Sequence, residues 1–167
     1  DWVSRQILPD TAEAEYLARH AAIWGLARKA STAAAGTVDA TGTDAITIPA
    51  GTVLARVDGA RFLVTADAVI AAGTAALSVE AEDAGPDGNT DAARTLTFVS
   101  PIAGVQASAT VAVGGLTGGA VEESDADLLA RLLQRIRNQP QGGAAADYER
   151  WALEVDEVTR AWVYPLY

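Results

Sequence analysis

Residues 46–64 read ITIPAGTVLARVDGARFLV. Ile46 and Ile48 alternate with Thr47, and Val53, Ala55 and Val57 alternate with Leu54 and Arg56. Asp58-Gly59 follows, and Phe62 and Val64 belong to a return strand. A period of two sends successive side chains to opposite faces of an extended chain. Asp-Gly between two such runs is a strong short-range mark of a type I′ hairpin. This stretch therefore predicts paired strands, and its neighbours extend the pattern.

From about Gly36 to Gly119, Thr and Val are frequent, Gly recurs and helical periodicity is absent. Leu77, Val79 and Ala81 alternate with Ser78, Glu80 and Glu82, which predicts one buried and one wet face. Leu96 and Phe98, then Val105 to Val113, supply two more strands, and Gly114-Gly115 and Gly118-Gly119 close the region. Several short strands divided by turn residues predict a small sandwich or barrel.

Helical periodicity flanks this module. Before it, Pro9 and Asp10 signal a start, with Glu13 at capping-box spacing from Asp10. Leu17, Ala21, Trp24 and Arg28 share a face, and the helix is expected to end near Ser31. After it, Ser124 is a good N-cap, and Leu128, Leu129, Leu132, Leu133 and Ile136 form an apolar stripe. Acids gather at the start of that helix and Arg131, Arg135 and Arg137 at its end, matching the helix dipole. Asn138, Pro140, Gly142 and Gly143 stop it. A further helix is expected with Asp147 as cap and Tyr148, Trp151, Ala152 and Val155 along one side. Val158, Ala161, Val163 and Tyr164 look like the opening of a strand. The expected fold class is α+β: an N-terminal helical segment (1–35), a central β-rich sandwich- or barrel-like module (36–119), and a C-terminal helix pair leading into a truncated α/β module (120–167).

Composition narrows the function classes. The formal net charge of −10 opposes nucleic-acid binding and anionic membrane surfaces, both of which need clustered basic residues. No apolar run approaches a membrane span. Without cysteine there is no disulfide, thiolate zinc site or cysteine nucleophile. The sequence also lacks methionine and ends on AWVYPLY, so a fragment trimmed at both ends is expected.

Candidate chemistry is sparse. His20 is the only histidine, with no partner at metal-ligand spacing and no serine in a nucleophile elbow. Glu80, Glu82, Asp83, Asp87, Asn89 and Asp91 superficially fit the oxygen pattern of a calcium loop, but they lack the EF-hand order, and Asp, Asn, Gly and Pro are also turn residues. Glu122 and Glu123 are adjacent, and adjacent residues on a helix do not face each other. The Gly114–Gly119 run lacks a phosphate-loop lysine and reads as a flexible hinge. Tyr148 and Trp151 read as core rather than as a binding face, a core that the expected truncation leaves partly exposed. No catalytic, cofactor or metal residue is assigned, and no enzyme activity is expected.

Several stretches resemble the baseplate J-like family of tailed phages. They are Gly36-Thr37-Val38, the Ile48-Pro49-Ala50-Gly51-Thr52 entry to the β module, and the Gly85-Pro86-Asp87-Gly88-Asn89 turn. The most specific block runs from Gly118-Gly119 through Glu123-Ser124-Asp125, Arg131-Leu132-Leu133, Pro140, Gly142-Gly143, Asp147-Tyr148-Glu149 and Trp151-Ala152 to Val158 and Pro165. It departs from the family pattern at Ala120-Val121 and at Glu157. The resemblance implies a structural wedge component of a phage tail baseplate, located in the virion and in the host cytoplasm during assembly. Implied partners are hub, sheath-proximal and fibre-attachment proteins, and further copies of itself. A second reading, from another class, is a virion-borne or secreted β module that binds carbohydrate or calcium. That reading needs an exposed aromatic platform on the strands.

Overall fold

The computed structural model describes residues 1–138, 145–153 and 160–164. The chain forms two compact units: Lys29–Glu123, and Asp1–Arg28 together with the chain from Ser124 onward.

The first unit is a closed antiparallel barrel. Its strands are β1 (Ala35–Gly42), β3 (Val53–Ala55), β4 (Arg61–Val64), β6 (Thr74–Ala81), β7 (Thr95–Phe98) and β8 (Val105–Thr117), in the order β1-β6-β4-β3-β7-β8. Two short strands, β2 (Thr47–Ile48) and β5 (Ala68–Val69), pair separately. On β6 the alternation read from the sequence is realised: Ala75, Leu77, Val79 and Ala81 are buried, and Thr74, Ala76, Ser78 and Glu80 are exposed. Leu96 and Phe98 on β7 also point inward. A six-stranded barrel is narrow enough to be filled by its own side chains. Phe62, Leu54, Leu77, Leu96 and Leu116 fill it, and Ile48 from the small sheet and Ile70, just after β5, join the same core. Each fully buried side chain of this size contributes about 1.5–3 kcal/mol.

The α+β class and the central β module stand, and several local expectations change. The Asp58-Gly59 turn exists but is not type I′, which needs positive φ at both residues. Only Gly59 has it, at +96°. Arg56 N–H donates to Ala60 O (2.8 Å) and Gly59 N–H to Arg56 O (2.9 Å), making a three-residue loop with a glycine bulge. Leu54 takes the inward position opposite Phe62, while Val57 stands fully exposed at the loop. The strand over Val105–Val113 continues to Thr117, straight through the glycine pair expected to close it. β1, the strand that joins β6 to β8, has a composition of Ala, Gly, Thr, Val and Asp that gave no clear alternation.

In the second unit, α1 spans Trp2–Arg5, α2 Ala14–Ile23, α3 Asp125–Arg137 and α4 Ala145–Leu153. Leu17 and Ala21 of α2 and Leu128 and Leu132 of α3 form its buried core, each pair spaced by four residues and so on one helix face. Ser124 caps α3 as read, accepting from Asp127 N–H (3.1 Å). The N-terminal helix is shorter than expected. It starts at Ala14 with Glu13 as N-cap and stops at Ile23, not near Ser31. The stop is a Schellman motif: Leu26 N–H donates to Ala21 O (2.9 Å) and Gly25 N–H to Ala22 O (3.0 Å), with Gly25 at φ +71°. Arg28 pairs with Asp125, and Arg131 Nη2 donates to Ala27 O (2.5 Å).

Asp147 is not the cap of α4. It lies inside the first turn, buried, 3.5 Å from Arg150 Nη1. Residues 160–164 carry no regular secondary structure, so the expected strand is not seen there, where no ladder partner is offered among the described residues. Pro140, Gly142, Gly143, Val155, Val158 and Pro165 lie outside the described residues.

Candidate functional site

The densest polar cluster of the barrel surrounds Arg56, which enters the β3–β4 loop directly after Ala55 of β3. Its guanidinium makes five hydrogen bonds. Nε and Nη2 fork onto Asp58 Oδ1 and Oδ2 (2.8 and 2.6 Å), Nη1 donates to Asn89 O (2.9 Å) and Thr90 Oγ1 (2.6 Å), and Nη2 also donates to Asp87 O (2.7 Å). A planar fork of donors suits this task, whereas an ammonium could satisfy only part of it. The Arg56 bond holds the Asp58 carboxyl at about 2, below the ordinary carboxylate range, and an Ala60 N–H at 3.3 Å adds to the effect. The same bond raises Arg56.

The loop that Arg56 grips is the Gly85–Asn89 turn, whose Pro86–Gly88 portion is a single 3-10 turn. Its last residue carries the connection onward. Asn89 Nδ2 donates to Gly119 O and Oδ1 accepts from Gly119 N–H, both at 2.9 Å. Thr90 then pairs through both backbone groups with Leu116. The cluster thus ties the β3–β4 hairpin to the 85–91 loop, and that loop to the end of β8. Its donors and acceptors are engaged with one another, which is the chemistry of a structural clasp.

The residues singled out in the sequence fall in several places. His20, on α2, is half-buried and bonds through Nε2 to Gln6 O (2.9 Å), so its ring is tied to backbone. The acidic stretch does not converge: Glu82 pairs with Arg61 (3.2 Å), Asn89 holds Gly119, and Asp87 offers its carbonyl to Arg56. Among the described residues no three His, Asp or Glu side chains come close enough to share a metal ion. Glu123 Oε2 accepts from Lys29 N–H (3.1 Å), and Glu123 N–H donates to Lys29 O (2.9 Å). Tyr148 and Trp151 pack edge to face at 5.2 Å, yet remain 53% and 44% exposed, so within the described residues they are not core.

At the hinge expected over Gly114–Gly119, two of the four glycines are packed tightly against neighbouring backbone. Gly114 and Gly115 lie within β8, and a Cβ on Gly115 would sit 2.6 Å from Thr90 O. A Cβ on Gly119 would sit 2.3 Å from Gly85 O. These glycines permit close backbone packing. Arg56, the centre of the clasp, was not singled out in the sequence. Only its pairing with Asp58 had a local signal, Arg-Val-Asp-Gly, a cation two residues before a turn acid.

Two family models match the chain: the Baseplate J-like protein barrel domain over residues 37–119 and the Baseplate J-like central domain over residues 140–167. The Mu-like prophage FluMu protein gp47 of Haemophilus influenzae is 45% identical across the whole chain, which covers 47% of that relative. Baseplate protein gp47 of Escherichia phage Mu is 46% identical over 98% of the chain and 46% of its own length. The phage-like element PBSX protein XkdT of Bacillus subtilis is 32% identical across the whole chain and 44% of its own length. The chain spans about half the length of the curated relatives it matches. The barrel of Lys29–Glu123 encloses the residues matched by the barrel model, and the chain belongs to the Baseplate J-like family.

Proposed function

We propose that the protein is a structural component of a phage-type tail baseplate, working through protein–protein contacts and without catalysis. The observation that carries this reading is the match of 98% of the chain to a relative named as a baseplate protein, at 46% identity. The chemistry of the barrel agrees with it, because its best-organised polar cluster consists of groups bonded to one another. Surfaces for contact are available. Trp2, Val3, Ile7 and Leu8 are more than half exposed within one short segment, and Trp162 and Tyr164 are exposed on another. Aromatic side chains of this kind supply much of the energy of protein interfaces.

On this reading the partners are other tail proteins of the hub, sheath-proximal and fibre-attachment classes, and further copies of the chain. The protein resides in the virion tail and, during assembly, in the host cytoplasm. The barrel is a domain in its own right, bounded near 36 and 119, with helical segments on either side in the sequence. The carbohydrate reading loses its main requirement, since Phe62 and Phe98 are the only aromatic residues of the β region and both point into the barrel, and the acidic residues considered for calcium do not converge among the described residues.

The test is a hybrid phage. In a Mu-like phage, the matching region of gp47 is replaced by this chain. Infectious particles carrying the hybrid in their purified tails are expected. Tails that assemble without it, or purified hybrid protein that turns over a substrate, would contradict the proposal.

A further inference from the structure

The sequence contains two Asp-Gly steps, Asp58-Gly59 and Asp87-Gly88. Such a step is chemically labile. The glycine amide nitrogen loses its proton and bonds to the aspartate Cγ, and the hydroxyl of the protonated carboxyl departs with a proton as water. The resulting five-membered succinimide takes up one water at either carbonyl. One product is aspartate again, and the other is isoaspartate, whose main chain runs through the side chain and is one methylene longer. A carboxylate has no such leaving group, so the reaction needs the neutral acid and a free glycine nitrogen.

Asp58-Gly59 sits at an exposed hairpin loop, with Asp58 53% exposed and Val57 fully so. Glycine offers no side chain to shield its nitrogen. Yet both reacting groups are engaged by one residue. The Arg56 guanidinium forks onto the two carboxylate oxygens of Asp58, and the Arg56 carbonyl accepts the Gly59 N–H at 2.9 Å. Asp58 Oδ1 also accepts from Ala60 N–H, one residue beyond the nitrogen that would attack. Bonds from Arg56 to Asp87 O, Asn89 O and Thr90 Oγ1 fix the guanidinium from its other side.

We propose that Asp58-Gly59 is a latent isoaspartate site and that Arg56 keeps it closed by holding the carboxylate and the glycine N–H at once. The lowered Asp58 pKa acts in the same direction, since it reduces the reactive neutral form. Asp87-Gly88 is protected differently. Gly88 is buried, and the Ala81 and Ala34 methyls crowd its Cα, which limits how far the glycine backbone can move as a ring closes. Isomerisation at Asp58 would lengthen the loop backbone and break the fork that ties the hairpin to the 85–91 loop. A particle outside the host has no synthesis to replace a damaged copy, so such a guard has value there.

The test is ageing of the full chain at neutral pH and physiological temperature. Isoaspartate is then located by peptide mapping with mass spectrometry and by isoaspartyl methyltransferase labelling. The samples are wild type, Arg56→Ala, Arg56→Lys and Thr90→Val, with circular dichroism to verify folding. Isoaspartate at Asp58 is expected to accumulate several-fold faster in Arg56→Ala than in wild type. Arg56→Lys should lie between them, because one ammonium cannot hold both oxygens. Thr90→Val, which leaves the Asp58 fork in place, should match wild type. If Arg56→Ala does not fold, Arg56→Lys decides alone. A wild-type rate in the folded Arg56 variants overturns the proposal, as does an equal rise at Asp87, which would signal general loosening of the loop.

Discussion

The Asn89 side chain and the Gly119 peptide face each other as two paired strand residues do, with donor to acceptor in both directions at 2.9 Å. A side-chain amide here continues the ladder past the point where the 85–91 loop can offer backbone. Net hydrogen-bond contributions of about 0.5–1.5 kcal/mol each make the pair worth about 1–3 kcal/mol. Asn89→Ala is expected to lower barrel stability by that amount in urea unfolding. Asn89→Asp places an oxygen against Gly119 O and should cost at least as much. Equal midpoints for wild type and Asn89→Ala would show that the pair fastens nothing.

Substitutions at the glycines separate close packing from flexibility. Gly115→Ala and Gly119→Ala each drive a methyl into a backbone carbonyl, that of Thr90 or Gly85, which cannot swing aside as a side-chain tip does. Overpacking of this kind costs about 1–3 kcal/mol and occasionally more. Gly25→Ala meets open space, so its cost is the left-handed backbone alone, about 1–2 kcal/mol. The expected order in thermal unfolding places Gly119→Ala below Gly25→Ala. If alanine at 115 and 119 changed stability less than at 25, the glycines would be serving flexibility after all.

What the sequence disclosed follows from how many constraints converged on each element. β6 was legible because polar and apolar side chains alternate without exception from Ser78 to Glu82. α3 was legible because its cap, stripe and charge gradient agree. β1 was not, because its strand state is imposed by pairing on both edges rather than by the propensities of Ala, Gly and Asp. The end of α2 was legible in principle: Gly25 followed by Leu26 is a Schellman signature, outweighed by the apolar face continuing to Arg28. The Arg56 cluster joins positions 31–34 residues apart, and no local pattern reports such pairing.

Acid should weaken the hairpin attachment in a defined window. Arg56 lowers the Asp58 carboxyl to about 2 in the folded protein, whereas the unfolded chain titrates near the ordinary aspartate value of about 3.9. The folded state therefore binds fewer protons in that range. The stabilisation is fully present above the unfolded value and is lost as pH falls through the folded one. Asp58→Asn lacks this titration. The stability difference between wild type and Asp58→Asn, from urea midpoints, should be constant above about pH 5 and shrink between about pH 4 and 2. A difference that stayed flat through that range would mean the fork does not perturb Asp58 in solution.

The barrel should fold when excised as residues 29–123. Its two ends are tied to each other by Lys29 and Glu123 through bonds of 2.9 and 3.1 Å, and again by Thr32 and Ala120 through backbone bonds of 3.0 and 3.1 Å. Its buried cluster draws every member from Ala34 to Leu116, so no core side chain is lost on excision. A domain whose termini meet can be carried as an insertion within another chain segment, here between α2 and α3, without either part interrupting the other's core. The excised barrel should give a strand-type circular dichroism spectrum and one cooperative transition. Leu77→Ala, which empties a fully buried site, should lower its stability by about 2–5 kcal/mol. An excised chain with no cooperative transition would show that the barrel depends on residues outside 29–123, despite ends that close on one another.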